Sequence, residues 1–218
     1  MLEFFSGFKK PKVRYVESEQ PEREALVFQA QSAILVGNKL VSHDDIDMGV
    51  RMLLSNLSCY GQVALAGGAL RDISLGETPS DYDIYTTMPY DRVVAALHNL
   101  GITDVEQLLT GSQVVSGPIY GGPTAYVLEF YIDNVDEPIQ VIGLNCSVYD
   151  YVTTHFSVGA SRCMYVPHVG FSCTHSFLRD VFKKRITIIN ANTMTHAYLK
   201  KLSCKFDTWE IVLWYALK

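Results

Sequence analysis

Residues 63–86 read VALAGGALRDISLGETPSDYDIYT, which predicts the order strand, glycine turn, helix, strand. The apolar residues before Gly67 and Gly68 predict a buried strand that ends in a tight turn. Two adjacent glycines let a ligand approach the backbone closely, and the N-terminus of the following helix offers unpaired N–H groups. This part of the chain therefore predicts a cradle for a phosphate group.

Two carboxylates lie at the start of the second predicted strand, at Asp81 and Asp83. Residues two apart on a strand point to the same face, so these carboxylates are close enough to share one hard cation. Ile84 and Tyr85 continue the strand as an apolar segment, where neighbouring like charges need a cation to neutralise them. The pair predicts a site for Mg²⁺ or Mn²⁺, and an exposed acidic pair is the alternative.

Composition limits the classes of protein to which the chain can belong. It has 218 residues, of which 48% are hydrophobic, enough for one sizeable core and an appendage. Its 18 basic and 23 acidic residues give a net charge of −5, so any contact with nucleic acid must be local. The sequence has no apolar run long enough for a membrane span, its amino-terminal region does not resemble a signal peptide, and we expect a cytoplasmic protein.

Hydrophobic periodicity divides the chain into three predicted regions. Residues 1–41 form an N-terminal arm, 42–146 an α+β core with a mixed central sheet, and 147–218 a mostly helical extension packed on the core. The core is predicted to contain helices at 42–57 and 89–100 and a hairpin of strands at 125–132 and 139–144. In the extension, helices are predicted at 148–161, 174–183, 193–202 and 208–217, with a short strand at 186–189.

Three spaced motifs resemble the signature of the nucleotidyltransferase superfamily, in the branch of bacterial-type tRNA CCA-adding enzymes and poly(A) polymerases. They are Gly67-Gly68-Ala69-Leu70-Arg71-Asp72, Leu75-Gly76 and Asp81-Tyr82-Asp83-Ile84. The resemblance implies the polymerase-beta-like fold, in which helices flank the central sheet. It also implies transfer of a nucleotide from a nucleoside triphosphate to a hydroxyl acceptor, above all an RNA or tRNA 3′ end.

The same resemblance assigns roles to individual residues. Asp81 and Asp83 become the catalytic metal ligands, and Gly67, Gly68 and Arg71 contact the triphosphate, while Asp72 braces the turn. An ion pair to Asp72 or Asp83 is the alternative role of Arg71.

Two later segments are similar to the family more loosely. Residues 148–165 resemble its Asp-Phe-Thr-Ile-Asn-Ala segment, with His155 at the aspartate position, which is either a metal ligand or a core histidine. Residues 177–207 resemble small phage-encoded nucleotidyltransferase-like proteins, which implies a host cytoplasm. A short basic helix is expected there, with Lys200, Lys201 and Lys205.

One departure from the family pattern leaves alternatives open. Members of the superfamily commonly carry a third carboxylate on a later strand, where this chain has Gln140, and Glu129 on the partner strand is the candidate substitute. One alternative is a nucleotidyltransferase that modifies a protein or a small molecule. Another is a catalytically silent fold that binds or inhibits a host protein.

Overall fold

Two β-sheets form the framework of the structure. The structure is a computed structural model and describes residues 13–18, 27–28, 41–110, 123–190, 194 and 196–216. Its strands are β1 Val13–Ser18, β2 Val27–Phe28, β3 Val63–Ala66, β4 Tyr82–Thr86, β5 Glu106–Thr110, β6 Thr124–Ile132, β7 Val135–Leu144, β8 Cys163–Val166, β9 Gly170–Cys173, β10 Arg185–Ile188 and β11 Glu210–Ala216.

The larger sheet has eight strands in the order β2-β9-β8-β3-β4-β7-β6-β5. Its pairs are antiparallel except for β4 and β7, which run parallel, so the sheet is mixed. The smaller sheet is parallel, with the order β1-β11-β10. β3 and β4 are antiparallel neighbours in the centre of the larger sheet. The turn after β3 therefore lies next to the start of β4.

In the part of the chain that the structure describes, six helices accompany the sheets. They are α1 Met48–Ser58, α2 Gly68–Ser74, α3 Tyr90–Asn99, α4 Val148–Asp150, α5 His175–Lys183 and α6 His196–Lys205. Shorter turns occur as 3₁₀ segments at His43–Asp45 and Gly159–Ser161 and as a π-helical segment at Tyr151–His155. Within the described ranges, none of these helices combines the length and the hydrophobicity needed to cross a membrane.

The larger sheet buries apolar side chains on both faces. On one face, Ile84 of β4 belongs to the same core cluster as Leu54 of α1 and Leu97 of α3, and complete burial of each such side chain contributes about 1.5–3 kcal/mol. On the other face, Tyr85 packs with Tyr151 and its neighbours. Because side chains alternate along a strand, Asp81 and Asp83 lie on the Tyr85 face.

The predicted α+β fold with a mixed sheet is confirmed, and two details of the core differ from the prediction. The first predicted helix is two pieces, because Ile46 has an extended backbone and Asp47 caps a new helix, α1. The predicted hairpin forms from β6 and β7, but its turn is shorter than 133–138 because Asn134 adopts a left-handed conformation with φ of 64°.

The extension contains strands that the sequence did not reveal. Residues 208–217 were predicted to be a helix, and this is wrong: β11 pairs in parallel with β1 and β10. The predicted helix at 148–161 breaks into short turns, and the next residues form β8 and β9, with β8 beside β3. The boundary between the extension and the core, and the division of the chain into three regions, stay predictions. Of the arm, only β1, β2 and Val41 belong to the described residues, and Lys9, Lys10 and Lys12 lie outside them.

Gly143 of β7 supplies a first testable prediction, because the ring of Tyr126 fills the space beside it. A Cβ atom at Gly143 would lie 2.0 Å from Cε1 of Tyr126, whose hydroxyl donates to the Met88 carbonyl at 2.7 Å. Gly143→Ala is therefore expected to lower the free energy of unfolding by about 2–3 kcal/mol in urea titrations. Adding Tyr126→Leu to Gly143→Ala removes the clash, so the double variant should lose less than the sum of the two single losses. An unchanged stability for Gly143→Ala would refute this packing.

Candidate active site

The turn between β3 and α2 adopts a backbone conformation that favours glycine. Gly67 has φ of 87° and ψ of −134°, a region that residues with a Cβ atom rarely enter. Its N–H donates to the carbonyl of Cys163 at 3.2 Å, which holds the turn against β8. A Cβ atom at Gly67 would also lie 3.4 Å from the ring of Phe156. Since this is an ordinary contact distance, the positive φ and not the packing of Phe156 is the reason that glycine suits this position.

Asp81 immediately precedes β4 and Asp83 is its second residue, so both lie next to this turn. Both side chains are half-buried, and the Nζ atom of Lys201 lies 3.7 Å from Oδ2 of Asp81. Burial, reinforced by the charge of Asp81, raises the pKa of Asp83 to about 7, while the charge of Lys201 acts in the opposite direction. The structure thus brings the two predicted carboxylates together, and holding both of them ionised is costly.

Asp83 is accordingly expected to destabilise the free protein. Its folded pKa of about 7 exceeds the ordinary value of 3.8, so the folded state holds an extra proton between these values. The free energy of unfolding should fall as the pH rises through this window and then level off. Asp83→Asn should raise it by about 1–3 kcal/mol at pH 8 and leave it unchanged below pH 4 in metal-free urea titrations.

The matched control for this prediction is Asp136→Asn, since Asp136 is an exposed carboxylate on β7. It should have the stability of the wild type at both pH values. If Asp83→Asn leaves the free energy of unfolding at pH 8 unchanged or lowers it, ionised Asp83 does not destabilise the protein and the prediction is contradicted.

Arg71 and Asp72 form a buried ionic cluster at α2. Arg71 donates to Oδ1 of Asp72 through Nε at 2.9 Å and Nη2 at 2.8 Å, and to Oγ of Ser161 through Nη1 at 3.3 Å. Lys205 donates to the other carboxylate oxygen of Asp72 at 2.6 Å. The Arg71 guanidinium also lies 4.8 Å from the centre of the Phe206 ring. Of the two roles that the sequence allowed for Arg71, the geometry shows the ion pair to Asp72, and triphosphate contact stays a prediction.

Gln140 and Glu129 continue a polar row across the sheet from Asp83. Gln140 of β7 is the register partner of Asp83 and of Glu129 on β6, and it donates to Oε2 of Glu129 at 2.7 Å. Glu129 is thus two strands, or about 10 Å, from Asp83. In the part of the chain that the structure describes, no group of three or more His, Cys, Asp or Glu is arranged to hold a metal. The structure does not bring Glu129 together with the aspartate pair.

The aspartate pair nevertheless suits a hard divalent cation. Carboxylate oxygens are the ligands that Mg²⁺ and Mn²⁺ prefer, and Mg²⁺ in proteins is often held by only one or two carboxylates together with waters and substrate phosphates. A cation between Asp81 and Asp83 would also offset the repulsion that raises the pKa of Asp83. The donor set therefore fits one such ion that is completed by a substrate.

An aromatic group covers the sheet beside these carboxylates. The rings of Tyr151 and His155 are stacked with their centres 5.2 Å apart, and Phe156 packs edge-on against Tyr151 and Tyr85. Nδ1 of His155 lies 2.8 Å from Oγ1 of Thr154. His155 thus packs in an aromatic group, which corresponds to the structural alternative. Tyr151 was not predicted to belong to this region, and its only signal in the sequence is its place within the loosely similar segment 148–165.

A cavity of about 620 Å³ lies at the opposite end of β4. Its lining includes Thr87, Tyr90, Gln107, Tyr126 and Asn145. Thr87 is six residues after Asp81, which corresponds to about 20 Å along an extended strand. This cavity is therefore separate from the aspartate pair, and it is a competing location for a ligand.

Comparisons with known proteins identify the architecture. No family model matches the chain, and no curated protein matches it significantly. Among solved structures, it is similar to the Thermotoga maritima CCA-adding enzyme complexed with tRNA, with 13% identity and a TM-score of 0.57 over 77% of this chain and 40% of that one. It is also similar to a CCA-adding enzyme in complex with ATP, at 13% identity and a TM-score of 0.55 over 77% of this chain and 40% of that one.

A CCA-adding enzyme with CTP aligns at 12% identity and a TM-score of 0.53 over 77% of this chain and 41% of that one. The chain thus spans about 40% of the length of these solved chains. Such low identities show the fold, while the narrower branch and a phage origin stay predictions. The chain has the nucleotidyltransferase fold.

Proposed function

We propose that the chain is a metal-dependent nucleotidyltransferase that moves a nucleotide from a nucleoside triphosphate to a hydroxyl group. The observation that carries this proposal is the proximity of Asp81, just before β4, and Asp83, within β4, beside the Gly67 turn in a nucleotidyltransferase fold. The raised pKa of Asp83 supports the proposal, because functional sites often contain carboxylates whose pKa is shifted from the ordinary value.

In this proposal, each part of the site has a separate task. The acceptor oxygen attacks the α-phosphorus, the bond to the bridging α–β oxygen breaks, pyrophosphate leaves, and the hydroxyl proton passes to solvent. Asp81 and Asp83 hold Mg²⁺ or Mn²⁺, which supplies Lewis-acid stabilisation of the phosphoryl oxygens. The backbone at Gly67 and Gly68 lets the triphosphate approach, and the Arg71–Asp72 cluster keeps α2 in position.

The acceptor that we propose is an RNA 3′ end, with tRNA as the first candidate. The solved structures with this fold include complexes with tRNA, ATP and CTP, although each is a longer protein than this chain. The net charge of −5 means that RNA contact must come from a local basic surface. Lys200 and Lys201 of α6 are both exposed and supply positive charge there.

The experiment is incubation with each of the four α-³²P-labelled nucleoside triphosphates in Mg²⁺ or Mn²⁺. The acceptors are tRNA lacking its 3′ CCA, complete tRNA, a short unstructured RNA, a cell lysate and no acceptor. Labelled RNA that requires the divalent cation is expected. Label in protein or in a small molecule would retain the reaction and replace the acceptor.

A catalytically silent fold is the second candidate, and the structure offers one observation in its favour. Gln140 lies between Asp83 and Glu129, so the described residues provide two carboxylates rather than three at the site. A silent protein should transfer no label to any acceptor while remaining folded. In that case the body acts by binding another molecule, for which a host protein is the proposed partner.

A further inference from the structure

Helix α6 extends two lysines to the two halves of the candidate site. Lys201 Nζ lies 3.7 Å from Oδ2 of Asp81, and Lys205 Nζ lies 2.6 Å from Oδ2 of Asp72. The lysines are four residues apart and therefore share one face of the helix. One helix face thus contacts both Asp81 of the aspartate pair and Asp72 of α2.

Apolar packing fixes α6 in this position. Leu202, Phe206 and Trp209 are buried with Val158 and Ile186 in a separate core cluster. Phe206 also packs under the guanidinium of Arg71, which links this cluster directly to α2. The helix is therefore anchored beside the site, and we expect only its exposed side chains to rearrange there.

The three neighbouring cations differ in how firmly they are held. Arg71 is 6% exposed in its side chain and is bound by Asp72 and Ser161, and Lys205 is bound by the same buried carboxylate. Lys201, in contrast, is 59% exposed, and its distance of 3.7 Å from Asp81 exceeds the usual 2.7–2.9 Å of a charge-assisted hydrogen bond. Among these three, Lys201 alone has a loosely held charge.

A nucleoside triphosphate at the Gly67 turn would bring about four negative charges next to Lys201. A divalent cation held by Asp81 would at the same time replace the lysine as the counter-charge of that carboxylate. Both effects move the ammonium group in the same direction, from the aspartate toward the phosphates.

We propose that Lys201 has two alternating partners: it neutralises Asp81 in the free protein and binds the triphosphate in the substrate complex. This proposal rests on the function proposed above. In the free protein the lysine competes with a divalent cation for Asp81, and in the complex it contributes to nucleotide affinity. Removal of the lysine should therefore change the two affinities in opposite directions, which a purely structural ion pair would not do.

The experiment compares Lys201→Ala with Lys183→Ala, since Lys183 is an exposed lysine of α5 to which no role in binding is assigned. Mn²⁺ binding to nucleotide-free protein is followed by electron paramagnetic resonance, and binding of ATP, CTP, GTP and UTP in Mg²⁺ by equilibrium dialysis. Lys201→Ala should bind Mn²⁺ about 3–10-fold more tightly and its preferred nucleotide about 10-fold more weakly. Lys201→Arg should recover most of the nucleotide affinity, and Lys183→Ala should match the wild type in both assays.

The outcomes distinguish failure of this proposal from failure of the proposed function on which it rests. If Lys201→Ala leaves both affinities unchanged, or shifts them in the same direction, while the wild type still binds Mn²⁺ and a nucleotide, the role of Lys201 is wrong and the function stands. If the folded wild type binds neither Mn²⁺ nor any nucleotide, both proposals fail. Circular dichroism of each variant verifies that the helix is retained.

Discussion

Replacing Asp81 and Asp83 together by asparagine is expected to reduce nucleotidyl transfer by at least about a thousandfold. Asparagine keeps the size of each side chain but removes the negative charges that hold Mg²⁺ or Mn²⁺. The half-buried carboxylates repel each other in the free protein, so the double variant should fold at least as well as the wild type. The measurement is the initial rate of label transfer from the preferred α-³²P nucleotide, with thermal unfolding in parallel.

Asp136→Asn is the control for this loss, because it removes one charge from an exposed position of β7. Its transfer rate should equal that of the wild type. Each single variant, Asp81→Asn or Asp83→Asn, should already lose most of the rate, since ligands that act on one cation are not additive. Transfer that persists in the folded double variant would show that the reaction takes place elsewhere in the protein.

Asp72→Ala is expected to lower the free energy of unfolding by about 3–5 kcal/mol. The side chain of Asp72 is 2% exposed, and it accepts hydrogen bonds from both Arg71 and Lys205. Its removal leaves the buried guanidinium of Arg71 without a counter-charge. It also removes the ion pair between α6 and α2, so the loss should exceed that of an exposed ion pair, which is about 0–1 kcal/mol. Urea unfolding measures the loss directly.

Lys205→Met tests the less buried side of the same cluster. The side chain of Lys205 is 24% exposed, so its loss removes one partner of Asp72 but leaves the bonds from Arg71. We expect a smaller destabilisation, about 1–2 kcal/mol. A loss below 1 kcal/mol for Asp72→Ala would mean that this cluster does not join the two helices energetically.

Local sequence signals predicted the centre of the fold and most of the proposed site. Gly67 follows four buried strand residues, and its left-handed conformation explains why glycine occurs there. Asp81 and Asp83 share a face of β4 because strand alternation depends only on neighbours in sequence. The hairpin of β6 and β7 was also predictable, since its two strands are joined directly by a turn.

Contacts between distant parts of the chain were not predictable in the same way. β11 forms between β1 and β10, about 200 and 20 residues away in sequence, and its apolar residues also fit a helix. The basic character of α6 was visible in Lys201 and Lys205, but their contacts with Asp81 and Asp72 depend on tertiary packing. Local periodicity does not indicate which strands pair with β11 or which carboxylates contact Lys201 and Lys205.

Hydrogen–deuterium exchange with and without substrate tests most directly whether the glycine turn and the aspartate pair form a nucleotide site. The probe is a nucleoside triphosphate with a non-hydrolysable α–β linkage, supplied with Mg²⁺, so no acceptor is required. Slower exchange is expected for the amides of 67–72 and 81–83, only when both Mg²⁺ and nucleotide are present, and not in the Asp81→Asn/Asp83→Asn variant. Protection confined to the cavity around Thr87 and Asn145, or no protection anywhere, would contradict the assignment.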